Sequence, residues 1–140
     1  MNELVYITRR EHFSAAHRLS LPEFSDEEND RVFGKCSNPN WHGHNYILFV
    51  TIKGPVDPKT GLIIHLRQVS KLIEEKILKR IDHRNLNLDV DFLKGKVPTS
   101  ENVAIGIWNE LEQDVRNLGG ILHCIRLEQS ENNIIEYYGQ

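Results

Sequence analysis

Cys36-Ser37-Asn38-Pro39-Asn40-Trp41-His42-Gly43-His44-Asn45-Tyr46 decides how this chain is read. It opens a strand that continues from Tyr46 to Lys53, rich in β-branched and aromatic residues. Side chains two apart on a strand share a face, so His42 and His44 project together. Gly43 between them adds no bulk and allows a close approach by a ligand or another backbone. Two imidazoles on one face are half of a transition-metal site. His17, in Phe13-Ser14-Ala15-Ala16-His17-Arg18, follows an alternating run from Leu4 to Ser14 that also reads as a strand. If the first two strands pair, His17 meets the other two rings. Three neutral imidazoles and one open position describe a catalytic zinc centre better than a structural one, which carries four protein ligands and more thiolate.

The rest of the chain alternates simple signals. Leu21 to Val32 is acidic and reads as a surface loop or short helical turn. Gly54 to Gly61 is turn chemistry. Leu66, Val69, Ile73, Ile77 and Ile81 recur at helical spacing. Asp82 and His83 end that helix and begin a loop to Pro98. Thr99 or Ser100 caps a second helix, with Glu101 in its first turn and Ala104, Trp108, Leu111, Val115 and Leu118 as its stripe. Gly119-Gly120 stops it. Two short strands, Ile121 to Glu128 and Ile134 to Tyr138, close the chain. The order β-β-α-α-β-β predicts an α+β fold, a four-stranded antiparallel sheet with both helices on one face. Apolar residues on both faces of the histidine strand, Ile47 and Phe49 against Leu48 and Val50, predict that a second subunit covers the other face.

Composition narrows the function. The 140 residues fit one domain spanning 1–140, with room for a core. Net charge is -3, which gives no basic excess for nucleic acid or a membrane surface. No run is long and apolar enough to span a bilayer, and Met1-Asn2-Glu3 does not start a signal peptide. Two cysteines without a leader suggest free thiols and a cytoplasmic location.

Further residues carry possible chemistry. Cys36 lies in a polar loop beside Lys35, six residues before a candidate ligand; a nearby cation or metal would favour its thiolate. Cys124 reads as a buried strand residue. Asp82-His83 suits a proton relay and equally suits a helix C-terminus whose dipole favours a cation. Glu128 suits a carboxylate that accepts two parallel N–H bonds, and equally an exposed strand end. His12, His65 and His123 have no partner pattern.

Taken together, Phe-Ser-Ala-Ala-His17-Arg, Gly-Lys-Cys36-Ser-Asn-Pro-Asn-Trp-His42-Gly-His44-Asn-Tyr, Asp82-His83-Arg-Asn-Leu-Asn, Pro-Thr99-Ser100-Glu101-Asn102 and Glu128 with Asn132-Asn133 resemble the 6-pyruvoyltetrahydropterin synthase family. The likeness covers nearly the whole chain. The step from Cys36 to His42 resembles the animal-type enzymes; 6-carboxytetrahydropterin synthases usually have a shorter one. The resemblance implies a tunnelling (T-) fold in which three sheets close into a barrel and two trimers stack as a homohexamer. It implies a zinc-dependent lyase of tetrahydrobiopterin biosynthesis that eliminates triphosphate from 7,8-dihydroneopterin triphosphate and leaves 6-pyruvoyl-tetrahydropterin. It implies Zn2+ on His17, His42 and His44, and catalysis by Cys36, Asp82 and His83, with the cysteine and the Asp-His pair from different chains. Glu128 would anchor the pterin, and Thr99, Ser100 and Glu101 would line its pocket. Arg9, Arg18, Lys35 and Arg84 are candidates for the triphosphate. Two positions depart from the family: Trp41 stands where glycine is common, and His65 where Asn or Asp is common.

Overall fold

In a computed structural model, which describes residues 3–140, the first two strands form one long antiparallel pair. Strand β1 (Leu4–His17) lies beside β2 (His42–Pro55) along its whole length, from Leu4 opposite Pro55 to His17 opposite His42. Both strands outrun the sequence expectation. The extra residues are Ala15, Ala16 and His17 on one strand and His42 to Asn45, Gly54 and Pro55 on the other, so the histidines lie inside the ladder. Strand β2 also pairs with β4 (Ile121–Ser130), and β4 with β5 (Asn133–Tyr137). A two-residue strand β3 (Arg84–Asn85) runs parallel to β1 at the far edge. The sheet therefore has five strands in the order β3-β1-β2-β4-β5, where four were expected. Two residues carry no readable periodicity, which is why β3 leaves no trace in the sequence.

The α+β class holds. The core is one cluster that joins Phe13, Tyr46, Leu48, Val50 and Ile52 of the sheet to the helical stripes. Helix α4 (Ser100–Asn117) contributes Val103, Ile107, Leu111 and Val115. The other long helix starts as α2 (Leu66–Ile73), passes through a π turn (Glu74–Leu78) and ends as α3 (Lys79–Ile81). The amide of Lys79 bonds back to Glu74 O, which inserts one extra residue into the turn. That shift lets both Ile77 and Leu78 face the core before Ile81. Leu66, expected on this stripe, lies mostly in solvent.

Of the two readings of the acidic stretch, loop or short helical turn, the helical one holds and extends to two turns. Helix α1 (Asp26–Phe33) begins at Ser25, whose hydroxyl accepts from Glu28 N while the Glu28 side chain reaches back to Ser25 N. This capping box, with acids in the first turn, stabilises a helix that has almost no apolar face. Among the described residues no helix is long and apolar enough to cross a membrane.

Candidate metal and proton-transfer site

The strand pairing sets the site. Directly opposed residues of an antiparallel pair share a face. Three such pairs stack in sequence on the core face: Phe13 with Tyr46, Ala15 with His44, and His17 with His42. The Phe13 and Tyr46 rings stack at 4.8 Å and form a floor. Ala15 is small, which leaves room for the three imidazoles above that floor. A Cβ at Gly43 would make only ordinary contact, 3.5 Å from Ala15 O, so nothing within the chain requires glycine there.

His17 is buried, and its Nδ1 donates to Pro98 O at 2.9 Å. Its Nε2 therefore carries the lone pair and faces His42 Nε2 at 2.9 Å. Burial lowers the His17 pKa to about 4, against the Pro98 carbonyl contact and with help from His42 and His44. His44 is lowered as well, by burial and then by His42. The Nε2 of His44 and the Nδ1 of His42 are buried without a hydrogen-bond partner. One ligand atom from each ring lies within 4.8 Å of the others, so the three together could hold a metal ion. Convergent imidazole nitrogens, buried and with the pKa lowered at His17 and His44, are what a cation needs.

Cys36 sits in a 3-10 turn, Gly34–Ser37, that follows α1. The turn is tied to the chain just after His17: Leu19 N donates to Cys36 O at 2.7 Å, and Arg18 Nε donates to Ser37 O at 2.8 Å. The thiol is partly exposed. Its neighbour on the floor is Tyr46, whose hydroxyl is pushed up by burial and then by the Cys36 charge. That hydroxyl is fully buried and has no hydrogen-bond partner. The His-x-His spacing does not reveal it, although its even register with His42 and His44 places it on their face.

Asp82 and His83 lie across the sheet edge. The Asp82 carboxylate accepts from Ser14 N at 2.9 Å, and its Oδ1 is 3.0 Å from His83 Nδ1. Partial burial works against ionisation, but the Ser14 N–H and then His83 and His12 overcome it and hold Asp82 below the usual carboxylate range. His83 adopts φ 61°, and its backbone N–H donates to Ser14 O at 2.6 Å. Its ring is 82% exposed. Glu128 lies opposite Ile47, and so on the sheet face away from Tyr46, Leu48 and the three imidazoles. A single chain thus joins Cys36 to the histidine cluster but leaves Glu128 on the other side of the sheet.

Comparison with known proteins places this arrangement. The family model described as 6-pyruvoyl tetrahydropterin synthase matches residues 6–140. The chain belongs to the 6-pyruvoyl tetrahydropterin synthase family. Relatives named 6-pyruvoyl tetrahydrobiopterin synthase place the chain among the enzymes of tetrahydrobiopterin synthesis, as a lyase. It is 46% identical to the 6-pyruvoyl tetrahydrobiopterin synthase of Pongo abelii, over 96% of this chain and 91% of that one. The solved 6-pyruvoyl tetrahydropterin synthase of Caenorhabditis elegans has a TM-score of 0.92 and 42% identity, covering 99% of this chain and 98% of that one. A dihydroneopterin monophosphate aldolase of Pyrococcus furiosus is 29% identical over 91% of this chain and 90% of its own length.

The positions with a family resemblance differ in how free they are. Thr99 Oγ1 caps α4 by accepting from Asn102 N at 3.1 Å. Ser100 is buried and bonds through its hydroxyl to Gln129 Oε1. Glu101 is exposed in the first turn. His65 is the N-cap of α2 and accepts from Arg67 N at 3.1 Å, work that Asn or Asp would also do. Trp41 has φ 68°, a left-handed conformation in which glycine is unstrained.

Proposed function

We propose that this chain converts 7,8-dihydroneopterin triphosphate into 6-pyruvoyl-tetrahydropterin, with loss of triphosphate. The observation that carries this reading is the buried His17. Its proton is committed to Pro98, and its free Nε2 faces His42 in a cluster within 4.8 Å, beside the Cys36 turn. The family membership over nearly the full length supports the substrate class. The proposed domain is the whole chain, 1–140.

His17, His42 and His44 would hold Zn2+. Ligand nitrogens of a tetrahedral zinc site lie roughly 3.3 Å apart, from bonds of about 2.0–2.1 Å. The separations here, 2.9 Å for His17–His42 and up to 4.8 Å within the set, bracket that spacing. When bound, the ion supplies Lewis-acid polarisation of the substrate's side-chain oxygens.

The remaining roles belong to the chain. Cys36, as thiolate, takes a proton from the carbon side chain of the substrate. His83, held by the Asp82 carboxylate, returns a proton at the pterin as triphosphate leaves. A separate acceptor and donor suit a rearrangement that moves hydrogens internally and needs no redox cofactor. Glu128 receives the 2-amino and ring N–H edge of the pterin. Arg18 and Lys35 line one open cavity of 680 Å³ beside the Cys36 turn, so they are the better-placed cations for triphosphate. Arg9 is already paired with Glu11 at 2.7 Å, and Arg84 lines a different cavity with His83.

Because Glu128 faces away from the imidazoles, a complete site needs more than one chain. This supports a homohexamer of two trimers, with the sheets closed as a T-fold barrel. A cytoplasmic enzyme with no nucleic-acid or membrane partner fits the charge and the described helices.

The deciding experiment is product analysis by mass spectrometry after incubation with 7,8-dihydroneopterin triphosphate. The expected product keeps all three side-chain carbons. A product with a shortened side chain would reassign the chain to a carbon–carbon cleaving activity. Cys36→Ala should retain metal and fold while turnover collapses.

A further inference from the structure

The buried residue of α1 is polar. Asn29 reaches out of the helix to the chain ahead of it. Leu21 N donates to Asn29 Oδ1 at 2.9 Å, and Asn29 Nδ2 donates to Leu21 O at 3.2 Å. An amide side chain carries a donor and an acceptor side by side, so it pairs with one residue's N–H and C=O as a neighbouring strand would. Apolar packing does not do this work. Among the described residues, none from 18 to 41 belongs to the core cluster, and Val32 of α1 lies mostly in solvent.

We infer that Asn29 is a positioning residue for Cys36, the tie that fixes where α1 and the turn after it lie against the His17 strand. This rests on the proposed role of Cys36 as proton acceptor. Two short stretches face each other. One, Arg18 to Leu21, leaves the strand that ends in the candidate ligand His17. The other, Asn29 to Ser37, carries the thiol. Besides the Asn29 pair, Leu19 N donates to Cys36 O at 2.7 Å and Arg18 Nε to Ser37 O at 2.8 Å. Within the second stretch, Gly34 N–H bonds to Asp30 O, and the Ser37 hydroxyl donates to Gly34 O at 2.8 Å. Helix and turn are therefore one body, held at the thiol end by Leu19 and Arg18 and at the helix end by Asn29.

Ties at one end alone make a pivot. Without Asn29, α1 can swing about the Leu19 and Arg18 contacts and carry the thiol with it. Ser25 and Asn29 divide the labour. The Ser25 box keeps α1 helical through local bonds, and Asn29 sets where the helix sits. Phe24 N also donates to Leu21 O at 3.1 Å, so Leu21 N is the group left without its partner when the amide is lost. Arg18 and Lys35, the proposed triphosphate cations, line their cavity together with Asp26, Asp30 and Gly34, so the same swing would alter it.

The test uses the full chain loaded with Zn2+. N29L keeps the side-chain volume and removes both bonds. Because the segment lies outside the core, this variant should fold and hold as much zinc as wild type. Its kcat with 7,8-dihydroneopterin triphosphate should fall roughly tenfold, the scale of a small misplacement of a reacting group. KM should rise as well, since Lys35 rides on the same turn. Iodoacetamide labelling of Cys36, read from its peptide by mass spectrometry, should quicken several-fold as the thiol leaves its seat. V115A on α4 is the control: it removes core volume and should lower the urea midpoint at least as much, with kcat and Cys36 labelling as in wild type. A wild-type kcat in N29L overturns the proposal, as does an equal loss of kcat in V115A. Loss of zinc from N29L would place the defect at the metal and overturn it too. C36A separates the two readings. If C36A turns over like wild type, the role of Cys36 falls and that of Asn29 with it; if C36A is inert and N29L is unimpaired, Asn29 alone is set aside.

Discussion

Trp41 and His17 show how much one residue's backbone or proton can decide. A left-handed φ brings the Cβ of an L-residue against its own backbone and costs roughly 1–2 kcal/mol. Trp41 carries that strain one position before a candidate ligand. Trp41→Gly should relieve it and raise stability by about 0.5–1 kcal/mol in urea unfolding. Trp41→Ala keeps the strain and should bring no such gain. His17 makes the stability of the metal-free protein depend on pH, and the likewise lowered His44 adds to it. The unfolded His17 imidazole titrates near 6.5 and the folded one at about 4. Between those values the unfolded chain takes a proton that the folded chain refuses, so protonation favours unfolding. The contribution is whole above pH 6.5 and declines as pH falls toward 4, by roughly 3 kcal/mol at the limit. Urea midpoints of chelator-treated protein between pH 7.5 and 4.5 should trace this fall, and His17→Gln should flatten it. The histidines were legible because a strand's two-residue period announces a shared face. The buried Tyr46 hydroxyl obeys the same period. It was missed because an isolated tyrosine carries no motif of its own.

Elements were legible in proportion to the apolar surface they bury. The stripe from Val69 to Ile81 and the alternation of β2 report their packing partners, and these appear where expected, while of the apolar parity read on β1 Phe13 and in part Ile7 reach the core and Val5 stays exposed. The π turn is invisible because Glu74 to Leu78 satisfies a helical period with or without one extra residue. For helix α1 the sequence leaves a loop and a short helical turn both open. Only Asn29 of its residues is buried, so hydropathy is silent. Its signal is local chemistry, Ser25 three residues before Glu28, hidden in a charge run that suits a solvated loop equally well. Such a helix depends on its cap. Ser25→Ala should cost about 1 kcal/mol, and should raise amide exchange in α1 first. The same loosening should reach the Cys36 turn, because Gly34 follows α1 directly and its N–H bonds to Asp30 O. Hydrogen-exchange mass spectrometry would resolve both segments; protection unchanged across 26–37 would show that the cap does not hold this region.

At the scale of the whole molecule, the positions of the proposed catalytic groups limit what one chain can do. Cys36 and the imidazoles share the helix-covered side, while Glu128 occupies the opposite sheet face. His83 lies at the β1 edge with its ring in solvent. The edges themselves invite partners. Strand β5 ends the sheet with Ile134 exposed and Tyr138 exposed just beyond it, and the exposed Leu4, Val5 and Tyr6 begin β1. An open edge of this kind is normally covered or closed into a barrel. If closure brings His83 of one subunit to the Cys36 of its neighbour, two inactive variants can repair each other. Cys36→Ala and His83→Ala chains, each inert alone, should regain turnover when co-expressed in equal amounts. Random assembly gives each site an independent chance of receiving an intact cysteine and an intact histidine, so activity should return to about a quarter of wild type in a symmetric assembly. A site built from Cys36 and His83 of the same chain contains one lesion in every subunit and would stay silent however the chains mix. Turnover measured on the purified mixed assembly, with both variants quantified by mass spectrometry, distinguishes the two architectures.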